Sequence, residues 1–192
     1  MLKDIIQTHS PIHCRNICLS TMAQKANQII VHGELKDKRR IHIIDILGRD
    51  KAPGTIHHMS VTLLIALDRL RIIQAEAEML TTPMAECAQP LDCMDRLINL
   101  EIKPGFSKSI STLVGGPNGC AHLCTLVTAM GTEIVHGGMA WKQHQDPDRK
   151  IPLQNADTYL FDSCRMWKKN GPKHRELVQA IKKENKTSGG TI

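Results

Sequence analysis

Two runs decide the fold of this chain: His57-His-Met-Ser-Val-Thr-Leu-Leu-Ile-Ala-Leu67 and Arg71-Ile-Ile-Gln-Ala-Glu-Ala-Glu-Met79, split by the polar Asp68-Arg69. The first is apolar and rich in β-branched residues, as a strand requires. The second alternates. Ile73, Ala75, Ala77 and Met79 fall on one side, and Gln74, Glu76 and Glu78 on the other, which is the period of a half-buried strand. Ala and Glu prefer helices, but the short polar reversal favours a hairpin. Upstream, the β-branched run Arg39–Leu47 reads as the first clear strand, closed by Gly48 and followed by a Pro53-Gly54 turn. Gln28–His32 reads as a short strand ended by Gly33. Antiparallel strands with one polar face need a helical layer on the other. The expected fold is α+β, an antiparallel sheet of three or more strands packed against helices on one face.

The helical layer begins at Thr82-Pro83, where Thr suits an N-cap and Pro the first helical position. Pro90 interrupts this segment, which carries Cys87 before the break and Cys93 after it. Phe106–Val114 reads as a short helix. A glycine loop, Gly115-Gly-Pro-Asn-Gly119, leads into a long helix from Asn118 to about Val135, with Leu123, Val127, Met130 and Ile134 at helical spacing. Lys142–Pro152 is polar and proline-broken, as in a surface loop. Thr158–Trp167 reads as a short helix carrying Cys164, stopped by Asn170-Gly171-Pro172. Lys173–Asn185 reads as a polar helix, with a frayed Ser-Gly-Gly end. The expected organisation is a loosely ordered segment over 1–37, a single α+β domain over 38–170, and a basic C-terminal helix and tail over 171–192.

A chain of 192 residues can bury a real core. Hydrophobic residues at 41% and charged residues at 23% are ordinary for a soluble protein. Aromatics are only 3%, so aliphatic residues and nine methionines must fill that core. The net charge of +6 admits an anionic partner, but no helix-turn-helix, RNA-recognition signature or row of stacking aromatics is visible, which disfavours nucleic acid. The first residues show no secretory signal, and no apolar run matches a membrane span. Seven cysteines, an odd number, then suit a reducing cytoplasm, as free thiols or metal ligands.

Chemistry concentrates at Gly119-Cys120-Ala-His122. Glycine loop, helix start, thiol and imidazole coincide there, and free N–H groups at a helix start favour a thiolate. Cys87, Cys120, His122 and Cys164 make a ligand set that suits tetrahedral zinc or an iron–sulfur cluster, with His57 or His58 as a substitute member. Cys120 and His122 are also the candidate catalytic pair, with Cys120 as nucleophile and a histidine as base. Cys93 and Cys124 fall within apolar helical pattern and read as small core residues. His9, His13, Cys14 and Cys18 have a permissible ligand spacing, but no second half of a zinc motif follows, and they read as incidental. The glycine loop lacks the Lys-Ser/Thr of a phosphate-binding loop.

His57-His58-Met59, Pro83-x3-Cys87, Gly119-Cys120-Ala-His122-Leu123 and Asp162-Ser-Cys164, in this order, resemble a bacterial family known as a domain of unknown function (number 2889), over roughly residues 30 to 170. That resemblance implies that these positions belong together and brings no reaction. The order of two strands and then Gly-Cys before a helix is also similar to the iron–sulfur scaffold fold of the NifU and SufE type, which implies cluster or zinc ligation by Cys87, Cys120 and Cys164. The chain departs from that pattern by placing Pro83-x3-Cys87 where the scaffold has Gly-Cys.

Three functions follow as expectations. The first is a Cys/His metal or iron–sulfur site at the start of the long helix. The second is a cysteine enzyme acting on a small acyl or thiol substrate through Cys120. The third is a binding module using the basic helix Lys173–Lys186, which is most simply a solvated face. The partners expected are a small molecule or a metal-handling protein, with no membrane; a homo-oligomer stays open.

Overall fold

A computed structural model of the protein describes residues 1–148 and 153–188. The chain forms two compact units, Met1–Trp141 and Lys142–Ile192.

The first unit is built on a four-stranded antiparallel sheet. Its strands are β1 (His13–Lys25), β2 (Gln28–Arg39), β5 (Gly54–Ala66) and β6 (Arg71–Thr81), adjacent in that order. A short helix α1 (Leu2–Thr8) precedes them. β3 (Ile43–Ile44) and β4 (Asp50–Lys51) form a separate two-stranded ladder between β2 and β5. The α+β class and the hairpin of β5 and β6 match the expectation from sequence.

Three corrections concern the strands. Residues 13–39, expected within or beside a loose N-terminal segment, supply half of the sheet. The reason lies in β2, where Ile29, Val31, Gly33, Leu35 and Asp37 alternate inward and are all buried. That row holds β2 in the centre of the sheet and gives β1 something to pair with. The run Arg39–Leu47 is not a long strand. The chain leaves the sheet at Arg39, and Ile46 is fully exposed. The Asp45 carboxylate accepts the N–H groups of Leu47 and Arg49, and Gly48 has a φ of 73°, so a turn closes the small ladder. In β6 the register shifts opposite Leu64/Ile65, so Ile72, not Ile73, faces the core with Ala75, Ala77 and Met79.

The covering layer is α3 (Ala121–Gln145), which buries Leu123, Leu126, Val127, Met130 and Ile134. It lies close against the inner face of the sheet. A side chain at Gly33 would sit 3.0 Å from Leu126 Cδ1 and 3.1 Å from Met130 Sδ. At the far end, Trp141 Nε1 donates to the Lys25 carbonyl at 3.1 Å. The helix therefore starts at the Asp37 end of β2 and runs antiparallel to it. It continues to Gln145, beyond the expected stop near Val135, and Pro147 follows its end. α2 (Phe106–Val114) forms as expected. The Cys87–Cys93 region, expected as helix, winds as a tighter 3-10 segment over Ala85–Leu97. Pro90 within it has no N–H to give to an α-helical ladder.

Gly119 lets this layer close. A Cβ there would stand 2.3 Å from the Val114 carbonyl oxygen, and the Cys120 N–H donates to that same oxygen at 2.9 Å. The Cys120 carbonyl in turn accepts the Cys124 N–H at 2.9 Å, which makes Cys120 the cap residue of α3.

The second unit contains α4 (Leu153–Tyr159), a 3-10 turn Arg165–Trp167 and α5 (Pro172–Ser188). The helix expected over Thr158–Trp167 is broken because α4 ends at Tyr159 and Asp162 adopts a φ of 59°. The proposed frayed end falls partly on residues 189–192, and part of the Lys142–Pro152 loop on residues 149–152; both lie outside the described residues. Among the described residues, no helix is long and apolar enough to cross a membrane.

Leu126 is fully buried between α3 and Gly33 of the sheet. Leu126→Ala is expected to lower the unfolding free energy by about 2–5 kcal/mol in urea titrations. Ile46→Ser, in the exposed turn, is expected to stay within about 0.5 kcal/mol of the wild type.

Candidate functional site

The inward rows of the sheet are apolar along most of their length. Ile29 faces Ile65, Val31 faces Leu63, Gly33 faces Val61 and Leu35 faces Met59 across β2 and β5. At the end of this row the pair becomes Asp37 and His57, and on the other side of Asp37 the β1 partner is Arg15. The first turn of α3 adds His122 over the same spot. Three strands and one helix thus bring a carboxylate, a guanidinium and two imidazoles to one end of the core.

The Asp37 side chain is only 2% accessible. A carboxylate this buried needs partners. Arg15 supplies them, donating from Nε to Oδ1 and from Nη2 to Oδ2, each at 2.7 Å. This fork is the strong bidentate geometry. The two imidazoles stand further off. His57 Nδ1 lies 3.2 Å from Oδ2, and His122 Nε2 lies 3.5 Å from the same oxygen. The rings stack with centroids 3.8 Å apart and an interplanar angle of 32°. The donor atoms of Asp37, His57 and His122 all lie within 4.8 Å of one another.

The environment sets the protonation states. The Arg15 guanidinium, bonded to Asp37, holds that carboxyl below the usual carboxylate range, against the opposite push of burial. The same bond raises Arg15 further above its already basic value. Burial lowers His122, and the neighbouring His57 and Arg15 lower it further, outweighing Asp37. An ionised carboxylate beside a neutral imidazole is the form in which both act as metal ligands.

Cys120 lies beside this group. Its Sγ is 3.8 Å from Nδ1 of His122, the ring nitrogen other than the one nearest Asp37. Of the residues expected from sequence, the structure thus brings together His57 and His122, with Cys120 in contact. His58 points to the opposite face of the sheet and pairs with Glu34. Cys87 is half-buried in the 3-10 segment, and no thiol joins the group of three among the described residues. Cys164 is exposed in the second unit. Cys93 is fully buried, where desolvation pushes its thiol up. Cys124 is half-buried near Gly115. Cys14 and Cys18 lie on β1, half-buried and exposed.

Asp37 and Arg15 were not among the expected site residues. The signal for Asp37 is the period-two row of β2, in which a carboxylate occupies an inward position after four buried ones. Nothing local marks Arg15, whose role depends on β1 pairing with β2.

The family described as a protein of unknown function (DUF2889) matches residues 13–136, and the chain belongs to that family. The match begins at the first residue of β1 and ends within α3, so it contains Arg15, Asp37, His57, Cys120 and His122 and stops before Cys164. No curated protein and no solved structure matches the chain.

In metal-free protein, the depressed His122 has a definite consequence for stability. The unfolded chain binds a proton near pH 6.5 that the folded chain resists, so the unfolding free energy falls as pH drops through that value. His122→Gln is expected to flatten urea-measured stability between about pH 7 and 5. Asp37 acts at lower pH, since its contribution is present above the ordinary carboxylate range and is lost as pH falls through its depressed value.

Proposed function

We propose that this member of a family of unknown function binds one divalent transition-metal ion through Asp37, His57 and His122. One observation carries the reading: three donor atoms from β2, β5 and α3 lie within 4.8 Å of one another around a buried carboxylate oxygen. Neighbouring donors on a tetrahedral ion with bonds of about 2.1 Å stand about 3.4 Å apart. The separations from Asp37 Oδ2, 3.2 and 3.5 Å, bracket that spacing. The longer one exceeds an ordinary N–H···O bond.

Two imidazoles and one carboxylate suit zinc or ferrous iron. An iron–sulfur cluster would need thiolates at the same point, and the Cys120 sulfur contacts the other nitrogen of His122. Three protein ligands leave coordination positions open, as in catalytic rather than structural sites. When bound, such an ion supplies Lewis-acid chemistry toward an oxygen of a small molecule. The chain's own residues prepare the centre. Arg15 fixes and ionises Asp37, burial keeps His122 neutral, and Cys120 orients the His122 ring from its far nitrogen.

Elemental analysis of protein purified without chelator is expected to give about one zinc or iron per chain. Asp37→Ala, His57→Ala and His122→Ala are each expected to weaken binding by roughly 100-fold or more, while Cys120→Ser stays within about tenfold. Circular dichroism of each variant separates loss of ligand from loss of fold. Folded wild-type protein that stays metal-free after reconstitution would overturn the proposal.

A second reading draws on the alignment Cys120–His122–Asp37. With Nε2 toward Asp37, His122 presents Nδ1 to the thiol as a general base, and Cys120 acts as nucleophile on a small acyl or thiol compound. This reading expects iodoacetamide to alkylate Cys120 in metal-free protein at least about tenfold faster than in His122→Gln. Equal rates would remove it.

A further inference from the structure

We infer that the open side of this centre takes a carboxylate-bearing small molecule, one oxygen on the ion and the other on the uncommitted Nη1 group of Arg15. This rests on the metal reading above and adds the class of ligand.

The charge balance comes first. The three ligands carry a single negative charge, on Asp37, and Arg15 neutralises it through both oxygens. A divalent ion added to this set leaves a positive excess beside a largely buried carboxylate. Among the described residues no further acidic group joins the cluster to offset it. An excess of this kind draws an anion into the remaining coordination position.

Arg15 then decides which anion. Its Nε–H and one N–H of Nη2 are given to Asp37, and among the described residues Nη1 makes no hydrogen bond. The Arg15 side chain is 39% accessible, against 18% for His57 and 24% for His122, so it is more exposed than either imidazole. β1 is also an edge of the sheet, and among the described residues no strand lies beyond it. Asp37 Oδ2 is shared between Arg15 Nη2 and the two imidazoles, so the guanidinium and the ion are neighbours across one oxygen. Two adjacent cations suit a bridging carboxylate, with one oxygen for each. A halide can reach only the ion. Phosphate would bridge too, but brings more charge and bulk than one Nη1 group and one ion call for.

The test uses full-length protein loaded with Co2+, whose visible absorption bands report changes in coordination. Titration with acetate is expected to shift the bands saturably, at roughly tenfold lower concentration than chloride. In Arg15→Gln, read at full Co2+ loading because Asp37 loses its guanidinium partner as well, acetate is expected to weaken by roughly tenfold and to lose its advantage over chloride. Arg15→Lys is expected to recover part of the acetate affinity. Equal responses to acetate and chloride in the wild type, or unchanged acetate affinity in Arg15→Gln, would overturn the inference while leaving the metal reading intact. Phosphate binding more tightly than acetate would overturn the carboxylate assignment. Failure of folded protein to bind Co2+ at all would overturn the metal reading, and this inference with it.

Discussion

The fork between Arg15 and Asp37 is the interaction on which the candidate site depends. Asp37 occupies an inward position of a central strand, where an isolated carboxylate would be costly to desolvate. Arg15 makes that position tolerable by meeting both oxygens from the neighbouring strand. The pairing is possible only because β1 and β2 run in a register that places the two residues opposite each other. Sheet register and site electrostatics are therefore one constraint. A slip of one residue between β1 and β2 would turn Arg15 to the other face and leave Asp37 buried without its cation.

The helix imposes the complementary constraint. α3 can approach the sheet closely because Gly33 offers no side chain to Leu126 and Met130. Its first turn is fixed by the glycine loop, where Gly119 allows the backbone to pass against the Val114 carbonyl. Together these place His122 over the Asp37–His57 pair. The polar end of the core is thus assembled from parts that are each anchored by apolar packing further along the same elements.

Much of this is visible in the residues, and the exceptions have physical causes. The β5–β6 hairpin follows from alternation and a short polar reversal, though the bulge opposite Leu64/Ile65 exchanges Ile73 for Ile72 in the core. A bulge leaves no mark in a period-two pattern until the partner strand is known. β1 is harder to see, because Arg15-Asn-Ile-Cys-Leu-Ser-Thr mixes polar and apolar residues as an edge strand can. His57 and His122 stand out as residue types, and the structure brings them together. Asp37 could have been recognised from its place in the alternating row of β2, whereas Arg15 acquires meaning only from the pairing. Cys93 lies wholly in the apolar core, as its place in an apolar helical pattern implied, whereas His58, beside His57, turns to the other face.

The position of His122 has a mechanical consequence. Asp37 and His57 belong to the sheet, and His122 belongs to the helix that covers it. Anything that engages all three at once fastens the two layers at one end, as a rivet would. The free energy of that engagement is then added to the resistance of α3 to lifting away from the sheet, by mass action. Occupancy of a site a few ångströms across is in this way linked to the slow opening motions of the whole layered unit, the kind that amide hydrogen exchange follows.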